Sequence, residues 1–94
     1  MPDTDVELHA IFHGNVQGVF FRSHAKEYAE SLGLSGTVAN CPDGTVELFA
    51  RGKKESLKRL LEQLSSEQGP GSVNRVEKSF AEPRQDFDGF KVIY

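Results

Sequence analysis

The sequence predicts an α+β fold: a mostly antiparallel sheet with two helices on one face and an extra C-terminal strand. Three observations predict it. Five short segments read as strands, two stretches repeat their apolar residues at helical spacing, and the order is β-α-β-β-α-β followed by one more strand. Two helices that each carry a single apolar stripe can cover one face of such a sheet.

Val6–His13 (VELHAIFH) places Val6, Leu8, Ala10 and Phe12 on one face, the pattern of a half-buried strand. A glycine-punctuated loop, Gly14 to Val19, comes next. A helix then begins near Phe21, because Phe21, Ala25, Tyr28, Ala29 and Leu32 fall at i, i+4, i+7, i+8 and i+11. Gly33 stands where a left-handed residue ends it. Residues 35–40 (SGTVAN) are β-prone, and Pro42-Asp43-Gly44 is a strong turn signal. Thr45–Arg51 alternates, with Val46, Leu48 and Ala50 on one side, so these two segments predict a hairpin. A second amphipathic helix spans about Lys53 to Ser66 with Leu57, Leu60, Leu61 and Leu64 on one stripe, and Gln68-Gly69-Pro70-Gly71-Ser72 ends it. Strands at about 73–81 and 89–94 close the chain, with Phe90, Val92 and Tyr94 in alternation. This is the split βαβ or ferredoxin-like plan. It hosts enzymes, RNA binders, metal chaperones and regulatory modules, so function has to come from a site.

Ninety-four residues, 37 % of them apolar, predict one domain over residues 1–94 with one modest core. No apolar run approaches the roughly 18 residues of a membrane span. Met1 to Glu7 is acidic and lacks the basic start and apolar stretch of a secretory signal. The single cysteine, Cys41, has no intrachain disulfide partner. Together these point to the cytoplasm. A net charge of −3 argues against nucleic acid, which demands clustered Lys and Arg. The densest basic stretch is Lys53, Lys54, Lys58 and Arg59. It is interleaved with Glu55 and Glu62 at i,i+4 spacing, as on a solvated helix face. No long apolar seam is present, and the expectation is a monomer.

The stretch that bears chemistry is His13-Gly14-Asn15-Val16-Gln17-Gly18-Val19-Phe20-Phe21-Arg22. It runs from a strand end, through two glycines four apart, into a helix. Glycine lets a ligand approach the backbone closely. Successive loop N–H groups, with the orphan donors of a helix N-terminus behind them, form a concave anion site. Arg22 lies where loop meets helix, and its planar fork can chelate two phosphate oxygens. An ordinary strand-to-helix turn with a solvent-facing Arg satisfies the same spacing. The Lys-[Ser/Thr] ending of a nucleotide P-loop is missing, as is the dinucleotide-binding G-x-G-x-x-G. No Cys precedes Arg22 in the loop, so a phosphocysteine mechanism lacks its nucleophile.

Gly14-x-Val16-Gln17-Gly18-Val19-x-Phe21-Arg22 resembles the first signature of the acylphosphatase family. Gly36-Thr37-Val38-Ala39-Asn40, then Gly44-x-Val46, then Gly52, resembles its second. Both occur in the right order, and the element order fits across essentially the whole chain. Thr37 departs from the pattern, since the family usually carries an aromatic residue there. The resemblance implies hydrolysis of a carboxyl–phosphate anhydride without metal or other cofactor. It implies Arg22 as the phosphate-binding catalytic residue, Asn40 as the residue that orients the attacking water, and a small-molecule acyl phosphate as substrate. The loop amides of Asn15, Val16, Gln17, Gly18, Val19 and Phe20 would hold the phosphoryl oxygens. The competing expectation is a non-catalytic ferredoxin-like module that captures a small anion.

Other polar groups read as structural. His9, His13 and His24 lack metal-ligand spacing with Cys or acidic partners. Asp86 and Asp88 fit a turn before the last strand, and Tyr94 an anchor for that strand. Phe20 and Phe21 read as packing groups. Thr45–Gly52 does not match the RNA-binding glycine/aromatic pattern, and a soft-metal chaperone would need paired cysteines.

Overall fold

The computed structural model describes residues 5–18, 20–66 and 72–93. The elements are β1 (Val6–Asn15), α1 (Phe21–Ser31), β2 (Ser35–Asn40), β3 (Val46–Gly52), α2 (Lys54–Ser65), β4 (Ser72–Ala81) and β5 (Phe90–Ile93). They form one five-stranded sheet in the order β4-β1-β3-β2-β5. All pairs are antiparallel except β2–β5, which is parallel. The predicted extra strand thus extends the sheet at the β2 edge.

The apolar stripes become the core. Leu8, Ala10 and Phe12 of β1 and Val46, Leu48 and Ala50 of β3 are fully buried on one face. Leu57, Leu60, Leu61 and Leu64 of α2 and Phe21, Ala25 and Ala29 of α1 pack against it. Tyr28 and Leu32 complete the α1 stripe as partly buried residues. Burying each leucine of α2 stabilises the fold by roughly 1.5–3 kcal/mol relative to exposure. Gly33 follows α1 with φ +73°, the left-handed stop the sequence called for.

The other face of the sheet carries polar pairs. The His9 ring stacks on Phe49 with centroids 4.5 Å apart, and its Nε2 lies 2.6 Å from Glu47 Oε2. Hydrogen bonds from His13 first, and Arg75 second, hold the Glu77 carboxyl below the usual carboxylate range. Asp86 is more than a turn residue: its Oδ1 accepts from Arg51 Nη1 at 2.7 Å, while Asp5 takes the Nε of the same guanidinium at 3.3 Å.

One boundary differs in a way that matters. β1 continues two residues past His13, so Gly14 and Asn15 belong to the strand rather than the loop. β4 is the reason: Gly14 pairs with Val73 and Asn15 with Ser72, after a bulge at His13/Gly14. Glycine is required there. At φ +127°, a Cβ on Gly14 would sit 2.1 Å from the Ser72 carbonyl oxygen. The loop that remains is shorter and starts from a pinned strand end. Three expectations fall outside the described residues: Val19 in the loop, the glycine-rich stop at 68–71 and the anchoring role of Tyr94. No described helix is long and apolar enough to cross a membrane.

Candidate active site

Sheet topology determines where the two motifs meet. β1 and β2 both run antiparallel to β3 and so point the same way, and β5 runs parallel to β2. The C-terminal ends of β1, β2 and β5 therefore gather at one end of the sheet, where α1 begins. Asn15 ends β1, Asn40 ends β2, Ile93 ends β5, and Arg22 is the second residue of α1.

Two of the described residues in the loop after β1 have left-handed backbone. Gly18 has φ +76°, which its missing Cβ permits at little cost. Phe20 has φ +61° and ψ +21°, a conformation that costs a bulky L-residue roughly 1–2 kcal/mol. It is the non-glycine residue with positive φ among those described. Phe20 caps α1 without a side-chain hydrogen bond, and the first turn of α1 holds no acidic residue. The start of α1 therefore carries no side-chain acceptor at its cap, and orphan N–H groups at a helix N-terminus attract anions. The Phe20 ring is 78 % exposed, so it is not the packing group the sequence suggested; Phe21, 1 % exposed, is.

Val16, Gly18, Phe20, Phe21, Arg22, Ser23, Asn40 and Val92 line one cavity of about 320 Å³. It joins both sequence motifs: Val16, Gly18, Phe20 and Arg22 from the first, Asn40 from the second. Arg22 Nη1 donates to the Ile93 carbonyl at 3.2 Å, which ties the guanidinium to the end of β5. The Asn40 side chain is exposed and makes no protein hydrogen bond among the described residues. Two predicted loop residues lie off the lining. Asn15 stands in the β1–β4 ladder, and Gln17 sends its side chain to the β2–β3 turn. Thr37, the departure from the second motif, lies in register with Phe49 and Lys91 and does not line the cavity.

The turn after Asn40 is braced from inside. Asp43 Oδ1 accepts from the Thr45 hydroxyl at 2.6 Å and from the Thr45 N–H at 3.0 Å. Those bonds, the hydroxyl first, hold the Asp43 carboxyl below the usual carboxylate range. Thr45 is the buried polar residue of the described chain, and this Asp satisfies it.

A larger groove of about 630 Å³ runs beside the cavity between α1 and β5 and shares Ser23 and Val92 with it. Its other lining residues include Lys26 and Lys91 against Glu27 and Glu30, a mixed-sign surface without the guanidinium or carboxamide. His24 makes an edge contact with the Tyr28 ring and does not line the cavity. Among the described residues, no three His, Cys, Asp or Glu side chains are grouped to hold a metal ion.

Comparison with known proteins matches the acylphosphatase family model over residues 8–92. The chain belongs to the acylphosphatase family. An acylphosphatase of Mycolicibacterium vanbaalenii is 42 % identical over 90 residues, covering 96 % of this chain and 97 % of the relative. One from Saccharopolyspora erythraea is 45 % identical over 83 residues, covering 88 % of this chain and 87 % of the relative. Among solved structures, the acylphosphatase from Coxiella burnetii superposes with a TM-score of 0.86 at 36 % identity, covering 96 % of this chain and 94 % of that one. These relatives support acyl phosphate hydrolysis and give no support to a non-catalytic anion-binding module. Within the acylphosphatase frame, three features had no sequence signal. These are the reach of Gln17 to the hairpin, the Arg22–Ile93 contact and the left-handed Phe20. The first two depend on contacts between distant segments, and the last occupies a conformation for which composition predicts glycine.

Proposed function

We propose that this chain, acting as one metal-independent acylphosphatase domain over residues 1–94, cleaves the carboxyl–phosphate anhydride by positioning and charge stabilisation alone. Arg22, the main-chain amide of Asn15 at the end of β1, and those of Val16, Gln17, Gly18, Val19 and Phe20 in the loop after it hold the phosphoryl oxygens. Asn40 aims the water. The observation that carries this reading is the single cavity lined by Arg22, Asn40, Val16, Gly18 and Phe20.

The chemistry suits that equipment. An acyl phosphate releases a carboxylate whose conjugate acid has a pKa of about 4–5. Such a group leaves without a protein acid to protonate it. The demand is for donors fixed around the charge that builds up on the phosphoryl oxygens. A guanidinium supplies charge and a planar pair of donors. The Asn40 carboxamide accepts from water through its oxygen, which sets direction without acting as a base. Proton removal falls to the bound phosphate itself. The substrate is a small acyl phosphate; a monomer in the cytoplasm, with no nucleic-acid or membrane partner, completes the reading.

The test is phosphate release from acetyl phosphate in excess chelator, beside ATP and a phosphate monoester. Selective, chelator-resistant cleavage of the acyl phosphate is expected, and strict metal dependence would overturn the account. Asn40→Ala is expected to lower single-turnover hydrolysis by roughly 10²–10³. Full activity in the folded variant would remove Asn40 from the mechanism.

A further inference from the structure

Gln17 does not line the cavity, yet its side chain reaches the other half of the site. Its Nε2 donates to the Cys41 carbonyl at 2.9 Å and to the Thr45 carbonyl at 2.8 Å. Both partners are acceptors, so the carboxamide must present its nitrogen, and both N–H protons are used. Cys41 and Thr45 are the residues just beyond the last hairpin pair, Asn40 and Val46. Gln17 therefore grips the turn immediately after the water-orienting residue.

Topology makes this grip significant. β3 lies between β1 and β2, so no main-chain ladder joins the loop after β1 to the end of β2. Among the described residues, the side-chain hydrogen bonds that link that loop to the hairpin turn are those of Gln17. The turn has its own closure without them. The Cys41 N–H donates to the Thr45 carbonyl at 2.8 Å, the Gly44 N–H donates to the Cys41 carbonyl at 3.1 Å, and Asp43 braces Thr45. The two bonds from Gln17 thus add placement of the turn relative to the loop, beyond what forming the turn needs.

We propose that Gln17 is a positioning residue for hydrolysis: its side-chain amide fixes the turn that bears Asn40 against the loop that holds the phosphate. This inference rests on the role given to Asn40 above. In-line attack is sensitive to placement, because a misplacement of about 1 Å far from the reacting atoms can cost about 10² in rate. Phosphate binding depends on Arg22 and the main-chain amides of the loop, and a change in the Gln17 side chain leaves all of these donors, its own backbone N–H included, in place.

The experiment compares wild type, Gln17→Met, Asn40→Ala and the double variant. The assay is acetyl phosphate hydrolysis, with inorganic phosphate as competitive inhibitor. Methionine keeps the length of the side chain and removes both donors. Gln17→Met is expected to lower kcat by about 10- to 100-fold. The phosphate inhibition constant should stay within about threefold, a split that general loosening of the fold would not produce. In the Asn40→Ala background the same change should cost less than about threefold, because the two act through one step. Wild-type kcat in Gln17→Met, or an undiminished loss in the Asn40→Ala background, overturns the inference. If Asn40→Ala is impaired while Gln17→Met is not, the role of Asn40 stands and the clamp falls. Full activity in Asn40→Ala overturns both. Should Gln17→Met fail to fold, hydrogen exchange of the Gln17 side-chain amide in the wild-type protein decides. Protection of both protons is expected, and exchange at the rate of a solvated carboxamide overturns the clamp.

Discussion

Arg22→Lys separates the shape of the side chain proposed to bind phosphate from its charge. The guanidinium has two duties: Nη1 donates to the Ile93 carbonyl at 3.2 Å, and the group lines the cavity beside Asn40. A planar fork can hold a carbonyl with one nitrogen and chelate phosphoryl oxygens with the others. Lysine has one nitrogen on a flexible stem. If it stays on Ile93 it abandons the phosphate, and if it turns to the phosphate it leaves the end of β5 untethered. Either way at least one donor to the transition state is lost. Removing one such donor costs roughly 2.7–4 kcal/mol. At 1.36 kcal/mol per tenfold, that is a loss of roughly 10²–10³ in kcat. Arg22 lies outside the buried core, so thermal unfolding should move little. The assay is steady-state hydrolysis of acetyl phosphate, paired with a melting curve. A lysine variant within about threefold of wild type would refute the two-duty argument, because charge alone would then suffice.

Two further predictions concern the frame of the site. Gly14→Ala should cost about 2–4 kcal/mol of unfolding free energy, since it combines strained φ with a Cβ driven into the Ser72 carbonyl. Gly18→Ala, with nothing within 4 Å of its Cβ, should cost only about 1 kcal/mol; denaturant midpoints that show equal losses would contradict the bulge geometry. The Thr45 hydrogen bonds hold the Asp43 carboxyl below its ordinary range, so its contribution is fully present above the unfolded pKa and is lost as pH falls through the lower, folded one. Wild type should therefore melt above Asp43→Asn at pH 6, with the gap closing as the pH drops below about 4; a gap unchanged at low pH would rule out the brace.

The parts of this molecule legible in its sequence are those governed by local periodicity. The leucines at 57, 60, 61 and 64 declare α2 and its buried face, and Leu8, Ala10 and Phe12 declare the inner face of β1. The last two residues of β1 were hidden because Gly14 and Asn15 become strand only through pairing with Val73 and Ser72 of β4. β4 itself alternates poorly because it is an edge strand with most residues exposed. At the site, Arg22 and Asn40 were nameable from motifs. Their meeting depends on β1 and β2 running alike on either side of β3, which no local signal encodes. The contact between Gln17 and Thr45, 28 residues apart, is of the same kind. Phe20 fails for another reason: propensity predicts glycine where its backbone goes, and local strain of this sort concentrates at functional sites.

The central claim is that phosphate and water are held by the two motifs within one cavity. A crystal structure grown with inorganic phosphate tests it most directly. The account predicts the anion between the Arg22 guanidinium and the main-chain N–H groups around Gly18 and Phe20, with the Asn40 carboxamide facing the same phosphorus. An anion held elsewhere with this cavity empty, or Arg22 and Asn40 turned away from the bound phosphate, would contradict it.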